Sequence, residues 1–127
     1  MVALAAILPA CGERESSAFV ADQFADAYFR RMDQEAALRY TALGATTMLD
    51  KEIEDTKAVR ASGYSAAEAA EHVNFTRGPA TARDARVGYR YTVTIRAEDS
   101  SPVQREADVE LAQIGGAWKV VTVRVAR

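Results

Sequence analysis

Chemistry in this 127-residue chain would have to come from a short set of side chains: the carboxylates Asp22 and Asp26, the tyrosines Tyr28, Tyr40, Tyr89 and Tyr91, the single histidine His72 and the single cysteine Cys11. A carboxylate or imidazole within reach of a tyrosine hydroxyl is the equipment of general acid–base catalysis, and Tyr89 or Tyr91 with Asp26 is a pairing that would serve. Each of these residues also has a plainer role. Tyr89 and Tyr91 at alternate strand positions are core aromatics with hydroxyls at the rim, His72 suits a helix C-terminus, and Asp22 and Asp26 are solvent-side helix charges. Other chemistries lack their residues: one His and one Cys supply no metal-ligand cluster, and phosphate-binding glycine loops and G-x-S-x-G elbows are absent, so no metal or cofactor is expected. Nucleic-acid binding is not expected either. The formal charge is −2, and the arginine–tyrosine alternation from Val87 to Arg96 sends the two residue types to opposite faces of a strand.

The elements that must position these residues follow from periodicity. Ser16 or Ser17 is an N-cap for a helix in which Val20, Phe24, Ala27, Tyr28 and Met32 form one buried stripe, widened by Phe19 and Phe29. Asp33 caps a second helix over Gln34–Leu43, with Ala37, Leu38 and Tyr40 packing and Gly44 breaking the pattern. Thr46 or Thr47 opens a third helix to about Ala61, with Leu49, Ile53 and Val59 inward. Ser65 and Glu68 have the capping-box spacing for a short fourth. From Val73 the period becomes two. The segment 73–84 holds one short strand or two, interrupted at Gly78-Pro79. Val87–Ala97 then reads as a long strand in which Val87, Tyr89, Tyr91, Val93, Ile95 and Ala97 share one face. Val103–Gln113 returns with Ala107, Val109 and Leu111 inward and Glu106, Asp108 and Glu110 outward, opposite the arginines of the preceding strand. Gly115-Gly116 is a two-residue hairpin turn, and Ala117–Ala126 is the last strand, apolar on both sides as in a central or covered strand.

The N-terminus bears on location. Residues 2–10 are uncharged and end on Pro9-Ala10, the pattern of a secretory signal, and nine residues are too few to span a bilayer, which takes about 20. Leu8-Pro9-Ala10-Cys11 resembles the bacterial lipobox, which implies cleavage before Cys11 and lipidation of that residue, so that 1–10 is a signal segment, 11–16 a tether and 17–127 a single domain. The alternative is a short buried helix or strand with Cys11 as an ordinary apolar residue. Residues 11–57 carry ten acids and six bases, residues 58–127 eight acids and ten bases. The charges are well mixed in sign and read as solvated faces.

Helices followed by antiparallel strands that end in Leu111-x-x-x-Gly115-Gly116-x-Trp118-Lys119-Val120-Val121 resemble the NTF2-like (cystatin-like) superfamily and its small bacterial lipoproteins. The resemblance covers about residues 17–126. It implies an α+β fold, with N-terminal helices packed on a curved antiparallel sheet to form a cone whose mouth holds a ligand. Phe24, Tyr28, Tyr89, Tyr91 and Trp118 are its candidate pocket residues. Ketosteroid isomerases and scytalone dehydratases of this fold place a carboxylate or histidines with tyrosine donors inside the cone, but none of their motifs matches here residue by residue. Two functions follow as expectations. One is a non-enzymatic binding or protein-interaction domain of the bacterial cell envelope, held to a membrane through lipid on Cys11, with a protein or small-molecule partner and a sheet-to-sheet homodimer as a further contact. The other is a small-molecule enzyme or carrier of the isomerase or dehydratase type. An enclosed pocket holding a buried carboxylate would favour the second. A cone filled by Phe24, Tyr28, Val93 and Trp118 would count against it.

Overall fold

In the computed structural model, which describes residues 16–97 and 100–126, Ser16 opens the first helix by accepting the Phe19 N–H on its hydroxyl at 3.1 Å. The signal segment 1–10, Cys11, most of the tether and Asp99 of the expected turn lie outside the described residues. Helix α1 (Ser17–Ala25) buries Val20, Ala21, Phe24 and Ala25 and runs into a π-helical turn, Asp26–Arg30, in which the Arg31 N–H reaches back to the Asp26 carbonyl. The wider turn ends the 3.6-residue spacing on which the predicted stripe depends. Met32, expected to be buried, is therefore turned outward at positive φ and is 51% exposed. Phe19, expected to widen the stripe, is also exposed.

Asp33 caps α2 (Gln34–Leu38) through the Ala36 N–H, as its residue type predicts. This helix stops at Leu38 and not at Leu43, because the next residues pair with the sheet: Val120 N–H donates to the Tyr40 carbonyl at 2.8 Å, and Ala42 N–H donates to the Val120 carbonyl at 2.9 Å. Helix α3 (Leu43–Asp55) begins immediately afterwards and takes in Gly44, Thr46 and Thr47, so the expected breaker and the two expected caps are interior residues. A Cβ at Gly44 would lie 3.5 Å from the Val121 carbonyl oxygen, which shows how closely the helix crosses this strand. The helix breaks at Thr56, whose hydroxyl bonds the Glu52 carbonyl, and resumes as α4 (Lys57–Ala61), where Val59 faces solvent and not the core. Ser65 caps α5 (Ala66–Ala70) through the Glu68 N–H.

Four antiparallel strands follow in sheet order β1-β2-β3-β4: β1 (Val73–Arg83), β2 (Arg86–Ile95), β3 (Val103–Ile114) and β4 (Ala117–Val125). The uncertain segment is thus one strand, with its register shifted between Arg77 and Ala80. Pro79 is tolerated there because β1 is an edge, and a Cβ at Gly78 would meet the Arg90 carbonyl at 2.9 Å. Gly115 and Gly116 take φ values of 63° and 86°, as a two-residue hairpin turn requires.

Strand β4 is an edge strand, not a central one, although residues 40–42 cover part of that edge. Its apolar doublet has another cause: the pairing steps from Glu110↔Thr122 to Leu111↔Val120, leaving Val121 as an extra residue, and both valines are buried. The outer face of the sheet is laced with charge pairs. Arg90 bonds Asp108 at 2.8 Å and Arg86 bonds Glu110 at 3.1 Å, as the cross-strand placement of acids and bases predicts.

Candidate functional site: the cone and its mouth

Phe24, Tyr28 and Tyr91 meet inside the cone. Phe24 stacks on Tyr28 with ring centroids 5.1 Å apart, Phe29 lies edge-on to Tyr28 at 5.2 Å, and Phe75 lies edge-on to Tyr91 at 5.5 Å. Phe24 and Tyr91 are wholly inaccessible. The rings fill the volume that a ligand would need, and each hydroxyl has a partner. Tyr91 donates to Asp22 Oδ1 at 2.7 Å, while Arg77 donates to the other oxygen of the same carboxylate. Tyr89 shares a 2.8 Å hydrogen bond with the Ser17 hydroxyl, and the Arg77 guanidinium lies over its ring. Tyr28 donates to both carboxylate oxygens of Glu52 at 2.9 Å.

Asp22 is therefore the carboxylate that engages a core tyrosine. Asp26, the expected partner, instead holds Arg30 at 2.6 Å and Arg31 at 3.1 Å. The π turn allows one carboxylate to reach residues four and five positions ahead. Burial first, and then the hydrogen bond to a carboxylate, pushes Tyr91 and Tyr28 upward from the ordinary tyrosine range. Both rings remain neutral donors at neutral pH and are not bases. Because folding favours their neutral form, their contribution to stability is intact below the unfolded tyrosine pKa of about 10 and is lost as pH rises beyond it. Urea midpoints are expected to be flat from pH 8 to about 10 and then to fall steadily, with a shallower fall in Tyr28→Phe and Tyr91→Phe. An unchanged alkaline slope in both variants would contradict this assignment.

Trp118 is not part of this cluster. It lies half-buried at the Gly115-Gly116 end, where it lines an open groove of about 740 Å³ with Phe19, Tyr40, Arg39 and Lys119. At the opposite end, the mouth of the cone, is a cleft of about 210 Å³ bounded by Tyr28, Phe29, Met32, Val93, Ile95, Ala107 and Val125, with Gln34 and Arg105 as its polar side chains. Met32, Ile95 and Val125 are each at least 40% exposed, and Val103, paired with Ile95 across β2 and β3, continues the apolar surface. The Gln34 side-chain oxygen Oε1 accepts from the Arg60 guanidinium at 2.6 Å.

Apart from Tyr28, none of the residues expected to form a pocket lines this cleft. The stripe expected to run to Ala97 stops short: the strand ends at Ile95, and Ile95 and Ala97 are exposed and not buried, while Met32 leaves the expected buried face and Arg105 carries no signal in the sequence. A third cleft, about 330 Å³ on the outer face, is lined by Arg83, Arg90 and Arg124 with Asp108 and Glu110 of β3, and Tyr89 borders it. Neither Asp22 nor Tyr91 lines any of these three clefts.

No protein-family profile matches the sequence, and no curated protein matches it. Its backbone is similar to that of an NTF-2 like protein of unknown function from Shewanella oneidensis MR-1, with 9% identity and a TM-score of 0.57, covering 87% of this chain and 95% of that one. It is also similar to a five-substitution variant of an NTF2 protein, with 9% identity and a TM-score of 0.53, covering 83% and 91% of the two chains. The fold is NTF2-like, an α+β cone of helices packed on a curved antiparallel sheet.

Proposed function

We propose that this chain is a lipid-anchored, non-enzymatic binding domain of the bacterial cell envelope that takes an apolar group of a protein or small-molecule partner in the cleft at the cone mouth. One observation carries the reading: aromatic rings fill the interior, and the exposed apolar side chains Met32, Ile95 and Val125 converge on one cleft at the mouth. An exposed apolar group gains about 25 cal/mol for each Å² it buries, so a cleft of this composition favours an apolar occupant without any reacting group. The residues that line the cleft include no carboxylate and no histidine. Glu52, whose partner Tyr28 lines it, has both oxygens on the tyrosine hydroxyl, and Asp22 is held by Tyr91 and Arg77. The anchor rests on Leu8-Pro9-Ala10-Cys11. Among the described residues no helix is long and apolar enough to cross a membrane.

The test has two readouts. Intact mass of protein expressed from its own gene is expected to show loss of the residues before Cys11 and a gain of acyl mass that Cys11→Ser lacks. The unlipidated Cys11→Ser protein is expected to bind the uncharged dye Nile red saturably, with affinity reduced about tenfold by Ile95→Asp, a loss of roughly 1.4 kcal/mol, and unchanged by Val59→Ser, an exposed position that lines none of the three clefts. Equal binding by the Ile95 and Val59 variants would remove the mouth as the binding surface.

A further inference from the structure

We infer that the end of the domain opposite the cone mouth is a membrane-contacting face, built to lie on the headgroups of an anionic bilayer with Trp118 at the interface and Arg39 and Lys119 on lipid phosphates. The inference rests on the lipid-anchor reading. It goes further in assigning a surface, an orientation and a lipid chemistry.

The topology brings three features to one end. Helix α1 starts there at Ser16, the β3–β4 hairpin turns there at Gly115-Gly116, and Arg83↔Arg86 closes the β1–β2 hairpin at the same level, since Arg86 pairs with Ala112. Tyr28, which borders the mouth, lies twelve residues along the helical segment from Ser16, about 18 Å at 1.5 Å per residue. Between Cys11 and Ser16 only Gly12–Glu15 intervene, a reach of roughly 17 Å even when fully extended. Acyl chains on Cys11 therefore bring the Ser16 end to the headgroups and aim the mouth away from them.

The chemistry of this end fits that position. Its 740 Å³ groove is lined by Tyr40 and Trp118, the residue types that favour the membrane–water interface, with the apolar Phe19 and the cations Arg39 and Lys119, and no acid is among its lining residues. Lys119 donates to the Arg39 carbonyl at 2.9 Å, and the Arg39 guanidinium lies over the Tyr40 ring, so the two cations are held side by side at the groove. On the outer sheet face, by contrast, Arg90 and Arg86 are paired with acids. Phe19 and Ile114 are 46% and 38% exposed at this end. The tether itself, with Glu13, Arg14 and Glu15, has a net negative charge, so the attraction comes from the groove. Each basic group close to an anionic surface strengthens binding about fivefold.

Trp118 is the only tryptophan, so it reports the contact directly. The full-length protein purified with its lipid, verified by mass, is reconstituted into vesicles of phosphatidylcholine with or without phosphatidylglycerol. Its emission is expected to shift to the blue and to be quenched by a headgroup nitroxide lipid, more strongly with phosphatidylglycerol. Arg39→Gln/Lys119→Gln, with circular dichroism unchanged, is expected to lose most of that phosphatidylglycerol-dependent quenching. Lipid on Cys11 with no quenching of Trp118 overturns the face and leaves the anchor standing. Absence of lipid overturns the anchor alone, and sedimentation of the Cys11→Ser chain with phosphatidylglycerol vesicles, but not with phosphatidylcholine, still tests the face. If Trp118 of that chain is shielded without vesicles and becomes exposed on deletion of residues 2–10, the groove holds the chain's own apolar segment and the proposal fails.

Discussion

Phe24→Ala is expected to lower the free energy of unfolding by about 3–5 kcal/mol, the range for truncating a fully buried phenylalanine. The ring is 0% exposed, stacked on Tyr28 and met edge-on by Phe29, so its removal leaves a hole at the centre of the aromatic cluster. Little can close that hole. The helix carrying Phe24 also buries Ala21 and Ala25, and the π turn after it buries Ala27, small side chains that cannot extend to fill space. For a domain whose whole stability is of order 5–15 kcal/mol, the loss is a large share of the total. Urea unfolding followed by circular dichroism would read it as a lower midpoint at unchanged slope. The control is Phe19→Ala: at 46% exposure it is expected to stay within about 0.5 kcal/mol of the parent. A loss below about 1 kcal/mol for Phe24→Ala would mean that the cone repacks readily, and the filled interior on which the non-enzymatic reading depends would not hold.

Asp22→Ala is expected to cost about 1–3 kcal/mol and Tyr91→Phe about 1 kcal/mol or less, although the two residues share one hydrogen bond. The asymmetry has a physical cause. Removing the carboxylate strands the hydroxyl of a tyrosine with no accessible surface and leaves Arg77 without its partner. Removing the hydroxyl leaves a carboxylate that keeps Arg77 and whose side chain, 37% exposed, can bind water. The double variant would then lie closer to Asp22→Ala than to the sum of the two, because both single changes break the same contact. Calorimetry or urea unfolding of the three variants decides the matter. A larger loss for Tyr91→Phe would show that the hydroxyl is not the buried member of the pair.

Several short-range signals in the sequence hold in the structure, although Thr46 and Thr47, expected as caps, and Gly44, expected as a breaker, lie inside a helix. Ser16, Asp33 and Ser65 are caps because a side-chain oxygen can reach an N–H three residues ahead in any context. The two-residue period placed Tyr89, Tyr91, Val93, Ala107, Val109 and Leu111 on the buried face and the opposing charges on the other, since alternation is a property of the extended backbone. Gly115-Gly116 was legible for the same reason: positive φ is a local requirement. In the candidate site the five residues expected from the resemblance do not converge on one pocket: Phe24 stacks on Tyr28, Tyr91 meets Phe29 and Phe75, and Trp118 lies at the opposite groove.

What escaped was set by contacts between distant parts of the chain. Helix α2 ends at Leu38 because residues 40–42 bond Val120, about eighty positions away, and that contact outweighs the tendency of the intervening residues to continue a helix. The same pairing carries Gly44 into the next helix. The π turn at Asp26–Arg30 rotates Met32 out of its predicted stripe, and no spacing in the sequence marks where an extra residue enters a helical turn. The mouth cleft depends on that rotation, since Met32 meets Ile95 and Val125 only once the helix end and two strand ends converge. By itself the sequence determined the Ser16, Asp33 and Ser65 caps, the strand faces over most of their length and the final turn, because those depend on neighbours within a turn or a pleat, while the fold class was carried by the resemblance to the NTF2-like superfamily. Tertiary structure alone decided where the helices stop, which aromatic rings fill the cone and where apolar surface stays open, because those depend on which distant groups compete for the same space and the same hydrogen bonds.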